Sequence, residues 1–550
     1  MRSPAFGGPE EHTRGSRSIS HAVWKERYRG ASDASVEETW RRVAAAVAAA
    51  EALPFMRRRW AQVFYQAMTG FKFVPGGRTL AGAGAGPDAI LFDCFINRRL
   101  PADASSILTN LHGAAWTMRR GGRVAQDFSA IPPKGRAILD GGARPSGPLA
   151  IMEVWRAIAA NIVETDVSSI AALSCSHPDI EDFVGDAHAG HPGCFNRLVL
   201  IPDAFMAAVD ADGGWPLVFG EETFGTISAR ALWRGMLLRA HDRAGLGLIF
   251  IDRANASNRP ERSPQGAAAA NDNAIGHDAC LLGSINLAAL VENAFTPAAH
   301  IPEYKLDGLA AVAVRFLDNV IDVSGYAMPE QEAAAKTRRR LGLGVTGLAD
   351  ALIMCGAHYS GEDGRRLAER WVAQICRGAY LASAGLARLK GCFPLFDMDE
   401  QLSRAFVAGL DAEVSDAIWK HGIRNDALMA IAPTVATSLL ADNVSGGIEP
   451  VNNFADSEDS SDEASLSSYA ERRFRELRGP GALPGFFVSG QDVAPKARLQ
   501  MQAAIQRHVD GPLRSVINWP PGLSYNDFEQ LCRGAYAIGA SGCAFFGASR

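Results

Sequence analysis

The chain has 550 residues, 47% hydrophobic and 21% charged, with a formal net charge of −5. Such a length buries a large core and allows roughly two to four domains, while so mild a charge excludes recruitment to nucleic acid or an anionic membrane by long-range field. Nine widely spaced cysteines with no C-x-x-C pair exclude a secreted disulfide framework, a zinc ribbon and a thioredoxin-like motif.

Residues 1–20 are polar, rich in Gly, Ser and mixed charge, and are expected to be disordered, with no apolar core of a secretory signal. No apolar run reaches the ~20 residues that span a bilayer, so a cytoplasmic location is expected. From Val36 to Ala67 the Ala-rich pattern is helical, within an N-terminal helical region over 21–95. Seven glycines or prolines from Pro75 to Pro87 predict a loop that passes close to something. Beyond it, helical segments at 108–120, 149–163 and 228–244 alternate with apolar strands at 194–202, 245–252 and 283–291. That alternation predicts an α/β arrangement with a largely parallel sheet over 96–546. The acidic, serine-rich run at 455–468 is expected to be a mobile loop.

Several motifs suit phosphate or acid–base chemistry, each weakly. APTVATSLL places Thr434, Thr437 and Ser438 at an apparent helix start, where free N–H groups and hydroxyls hold a phosphate or simply cap the helix. Glu449, between Ile448 and Pro450, is a carboxylate in apolar surroundings. Ser146 and Gly147 open a loop-to-helix step suited to a phosphate or a turn. The glycines of LGLGVTG (341–347), around Thr346, fit close packing as well as ligand approach. GGRTLAGAGAG (76–86) lacks the strand and helix that a dinucleotide fingerprint needs.

Taken together, PGGRTLAG, LFDCFIN, GGRVAQDFSAIPPKG, HPDIEDFV, ACLLGSINLA, RRRLGLGVTGLADAL, RNDALMAIAPT and GGIEPV make the chain resemble the large catalytic subunit of ribonucleotide reductases, most closely the adenosylcobalamin-dependent type. The resemblance implies a ten-stranded α/β barrel, a ribonucleotide substrate or nucleotide effector, and a homodimer or pairing with another reductase chain. It also implies a radical relay. The cofactor makes a thiyl on a loop cysteine, the thiyl takes a ribose hydrogen, and a glutamate takes a hydroxyl proton. Two further cysteines then supply electrons and end as a disulfide, later discharged by outside thiols.

On that resemblance Cys94 and Cys280 hold the positions of the reducing pair. The radical loop departs from the family pattern. Where the family has Asn-Pro-Cys-Gly-Glu, this chain has Asn273, Ala274, Ile275, Gly276 and His277, with a shortened spacer before Cys280. Ile275 then stands for the radical cysteine and His277 for the glutamate; a register without the gap reaches Ala269, which is no thiol either. Three functions follow: a reductase of the cobalamin type, a non-reducing nucleotide-binding homologue that regulates or pairs with a reductase, or an altered radical enzyme.

Overall fold

The computed structural model describes residues 17–97, 99–135, 147–163, 169–185, 195–242, 246–256, 278–454, 467–511, 513, 515–519 and 523–547. Thirteen strands run through these residues: β1 (Phe73–Pro75), β2 (Cys94–Asn97), β3 (Arg123–Asp127), β4 (Ile170–Ser174), β5 (Asn196–Ile201), β6 (Gly214–Phe219), β7 (Glu222–Ser228), β8 (Leu246–Phe250), β9 (Asp278–Cys280), β10 (Leu282–Asn286), β11 (Gly342–Thr346), β12 (Ser515–Trp519) and β13 (Gly542–Gly547). The chain divides into two compact units. One comprises 1–93, 280–325 and 333–511; the other comprises 94–279, 326–332 and 512–550.

The second unit is built on an eight-stranded sheet in the order β12-β13-β8-β5-β4-β3-β2-β9. Its pairs from β2 through β8 are parallel, as are β12 and β13, while β13 runs antiparallel to β8. Continuous apolar runs make these strands. Ala171, Leu173, Val199 and Leu248 are fully buried, as expected of parallel strands covered on both faces. Helices Ala104–Arg119, Gly147–Ile158 and Ala229–Asp242 follow strands in the expected alternation. The antiparallel ribbon of β6 and β7 stands apart from this sheet.

In the first unit β10 pairs antiparallel with β1 and parallel with β11. Residues 427–430 continue this sheet beyond β11: Leu343 N–H donates to Leu428 O at 2.8 Å and Ala430 N–H to Leu343 O at 3.1 Å. Helices Glu303–Val323 and Pro54–Met68 pack on the sheet, and Glu362–Lys390 and Val36–Ala48 pack on Glu303–Val323. Phe316 joins them, edge-on to Phe64 at 5.1 Å and to Phe73 at 5.3 Å. Ser35 caps helix Val36–Ala48 by accepting from Glu38 N–H.

Two sequence expectations need correction. Residues 77–82 of the glycine-rich stretch form a short helix rather than a loop, although the close approach is real, since Gly76 N–H donates to Leu282 O at 2.8 Å. The apolar run 283–291 is a strand only as far as Asn286 and ends in a short 3-10 turn, Ala288–Leu290. The acidic run at 455–466 lies outside the described residues. Among the described residues the sheets have eight, three and two strands, and a closed ten-stranded circuit is not among the recorded pairings. No helix among these residues is long and apolar enough to cross a membrane.

Candidate active site

In the first unit β10 and β11 run parallel with Asn286 opposite Thr346 at their C-terminal ends, the end at which open α/β sheets bind ligands. Gly344 lets the next segment come close, because a Cβ there would lie 2.6 Å from Ala430 O. That segment is locked from its far side by Asp510. Its carboxylate accepts Leu428 N–H at 2.8 Å, Met429 N–H at 2.7 Å and the Tyr380 hydroxyl at 2.6 Å. The chain then leads directly into the predicted hydroxyl motif.

Thr434 sits at the N-terminus of the six-residue helix Val435–Leu440 but does not cap it. Its hydroxyl turns back, 2.9 Å from the Thr346 hydroxyl, and accepts Gly447 N–H at 2.9 Å. The first-turn N–H groups of that helix therefore have no side-chain cap. Thr437 and Ser438 donate their hydroxyl protons to Thr434 O and Val435 O, both at 3.0 Å, which leaves the hydroxyl oxygens as acceptors. Ser445 completes the cluster: its N–H donates to Asp350 at 2.6 Å and its hydroxyl accepts Ala349 N–H at 3.1 Å. Burial raises the Asp350 carboxyl, offset by N–H bonds from Ala470 and Ser445.

Replacing Thr434 by Val removes the acceptor for Gly447 and the partner of Thr346 inside a buried cluster. A loss of about 1–3 kcal/mol is expected, measured as a lower midpoint in urea. An unchanged midpoint would show that the hydroxyl network carries no stability.

Glu449 ends a turn closed by its own N–H on Gly446 O at 2.9 Å, and the Tyr359 hydroxyl holds the preceding carbonyl, Ile448 O, at 2.7 Å. Its side chain keeps 27% exposure, yet Oε2 is sealed and lacks a hydrogen bond. Burial pushes the carboxyl up to about 7 against the opposing pull of Arg498. Asn286 Oδ1 is likewise buried without a partner.

Of the other predicted residues, Cys94 and Gly147 belong to the second unit and Cys280 to the first. Cys94 opens β2 and is half-buried, with Sγ 3.7 Å from Phe95 O. Cys280 closes β9, the edge strand next to β2 in the sheet. Gly147 starts a helix at φ +79°, and a Cβ there would lie 2.6 Å from Asp179 Oδ2. The close carboxylate, which accepts Lys134 N–H at 3.0 Å, gives this glycine a packing role. Ser146, Asn273, Ile275 and His277 lie outside the described residues.

Sequence reasoning passed over Ser445, Asp350, Tyr359, Arg498 and Asp510. Each acts across a long sequence separation; Asp350 stands inside RRRLGLGVTGLADAL, but only Thr346 in that stretch drew notice, through its flanking glycines.

The barrel-domain model of ribonucleotide reductase matches residues 93–546, and the all-alpha domain model of the same enzyme matches residues 16–87. The chain belongs to the ribonucleotide reductase large-subunit family. A vitamin B12-dependent ribonucleoside-diphosphate reductase from Mycobacterium tuberculosis is 31% identical over 95% of this chain and 78% of its own length. One of the same name from Thermoplasma acidophilum is 27% identical over 88% of this chain and 64% of its own. The alpha subunit of ribonucleoside-diphosphate reductase from Chlamydia pneumoniae is 25% identical over 71% of this chain and 43% of its own. This ribonucleotide reductase homologue is thus similar to the B12-dependent members along nearly its whole length.

Proposed function

We propose that this chain seats a ribonucleoside diphosphate in the hydroxyl cluster of its first unit but does not by itself carry out the family's reduction. The observation that carries the second half is Ile275. A side chain of C–H bonds alone cannot give up and recover a hydrogen atom as a thiol does, and His277 stands where the family's proton acceptor belongs. The first half is supported by the uncapped first turn of Val435–Leu440 beside Thr434, Thr437 and Ser438. Glu449 and Gly447 border it. A closed ten-stranded barrel is the architecture this reading assumes, and a second copy or another reductase chain is the partner it favours.

Adenosylcobalamin enters through the vitamin named for the relatives. Among the described residues no set of donor groups identifies a corrin seat, and no step of this reading runs through one. The direct test is calorimetric titration of the full chain with CDP. Saturable binding that Thr434→Val weakens supports the seat; absence of binding removes it.

A second reading, an active reductase, is favoured by the presence of both Cys94 and Cys280. It requires the two thiols to close a bond, each losing one hydrogen to an oxidant. Treatment with diamide followed by mass mapping is expected to recover a Cys94–Cys280 cross-linked peptide, lost in Cys94→Ser. Full alkylation of both thiols after diamide would remove the redox pair from either reading.

A further inference from the structure

Arg498 lies on helix Pro495–Gln506 and meets Glu449 in an arrangement that satisfies neither. Its Nη1 stands 3.5 Å from Glu449 Oε2, yet that oxygen has no hydrogen bond, and Arg498 Nε is sealed and unbonded as well. Both side chains are held by the backbone. Arg498 Nη2 donates to Gly490 O, and Gly490 N–H is itself fixed to Val451 O at 2.6 Å. Glu449 is fixed by its turn and by Tyr359 acting on Ile448. A buried pair of opposite charges gains stability only when its remaining donors and acceptors are met. Here they are not. The sealed atoms are Oε2 and Nε, while the side chains as wholes keep 27% and 14% exposure.

We propose that Arg498 and Glu449 together form an oxyanion seat that takes a phosphate group with the uptake of one proton by Glu449. This rests on the nucleotide reading above and deepens it. A guanidinium fork offers paired donors to two phosphate oxygens. A carboxylate beside it repels the same oxygens, whereas a carboxylic acid donates to one of them. The proton comes from solvent and no covalent bond changes. The turn Gly446–Glu449 connects this seat to the hydroxyl cluster, since the position a Cβ would take on Gly446 is 3.6 Å from Thr434 Oγ1 and 3.8 Å from Ser438 Oγ.

The groups facing Glu449 are Arg498 and the Tyr359 hydroxyl, and burial keeps Tyr359 neutral by raising it well above its ordinary value. The carboxyl itself is raised toward about 7 by burial, with Arg498 opposing. It therefore gains a proton at small cost near neutrality.

The test is calorimetry on the full chain with CDP, inorganic pyrophosphate and cytidine, at pH 7.5 in two buffers of different ionisation enthalpy. CDP and pyrophosphate are expected to bind with an enthalpy that differs between buffers in the sense of proton uptake; cytidine is expected to show no such difference. CDP affinity should fall by about tenfold per pH unit above 7. Glu449→Gln should bind at pH 7.5 at least as tightly, without that fall. Arg498→Met should lose about tenfold or more in affinity, and Arg498→Lys, which keeps the charge without the fork, should lie between. Melting temperatures check that the variants fold, and the two-buffer result on the unmodified chain decides even if one does not. CDP binding with buffer-independent enthalpy, or binding by folded Arg498→Met as in the parent, would overturn the seat and leave the nucleotide reading standing. Failure of CDP to bind at all would overturn both.

Discussion

Asp318→Ala is expected to cost about 3–5 kcal/mol of stability, the range found when one partner is removed from a buried ion pair. Asp318 is fully buried on helix Glu303–Val323. Its Oδ1 accepts from Arg339 Nε at 2.8 Å and from Asn425 Nδ2 at 3.1 Å, while Arg424 and Lys390 approach its carboxylate at 3.3 and 3.5 Å. Arg339 also donates to Asp322 at 2.8 Å and to the backbone oxygen of Asp318 at 2.8 Å. The network extends through Asn319 to Glu51, which pairs with Arg315 at 2.6 Å, and Arg315 lies over Trp60 at 4.1 Å. One carboxylate therefore ties the N-terminal helices, the long helices and the loops at 339 and 424 within the first unit. Alanine would leave Arg424 without its carboxylate, Arg339 with Asp322 alone and Lys390 with Glu51 alone, in a region with little water. Urea denaturation followed by fluorescence measures the effect, and a variant within about 1 kcal/mol of the parent would show that the cluster does not hold the unit together.

The pH dependence has a definite sign. Burial by itself raises the Asp318 carboxyl, but Arg339, Arg424 and Lys390 outweigh burial and hold it below its ordinary value of 3.8. A carboxyl lowered by folding stabilises above its unfolded range and loses that contribution as pH falls through the folded value. The stability gap between parent and Asp318→Ala should therefore be constant near neutrality and narrow below about pH 4. A gap that widens in acid would contradict the assignment.

Legibility in the sequence followed the range of the interactions. Strands β5 and β8 are continuous apolar runs between helices, and the parallel pairing follows from that local pattern, whereas β4, in a stretch with no strand expected, shows itself only in the sheet. The stretch at 76–86 shows the limit of composition, since glycines that usually mark a loop here begin a helix pressed against the Leu282 carbonyl. Thr434 shows the same limit at the site. A threonine at a helix start reads as a cap, but Gly447 N–H and the Thr346 hydroxyl compete for its oxygen and win. Neither competitor is near in sequence. Arg498 had no signal at all, because a single charge in a helix acquires meaning only from a distant partner.

The largest effect expected is an absence of turnover. Purified chain supplied with adenosylcobalamin, a dithiol and each ribonucleoside diphosphate is expected to form no deoxynucleotide above background, under conditions in which CDP binds. The reasoning is chemical rather than architectural, because fold alone does not fix activity. In the proposed reading the reducing thiols are Cys94, on β2, and Cys280, on β9, but a reducing pair acts only after a hydrogen atom has left the ribose. Between Cys194 and Cys280 the sequence contains no cysteine to take it. Product analysis by chromatography and mass spectrometry measures the outcome. Repeated turnover would overturn the expectation and would mean that a cysteine elsewhere in the chain reaches the ribose. Cysteine-by-cysteine replacement would then identify it as the one further position whose loss stops product, with Cys94→Ser and Cys280→Ser expected to form none either, because a lone thiol cannot close the disulfide that supplies the two electrons.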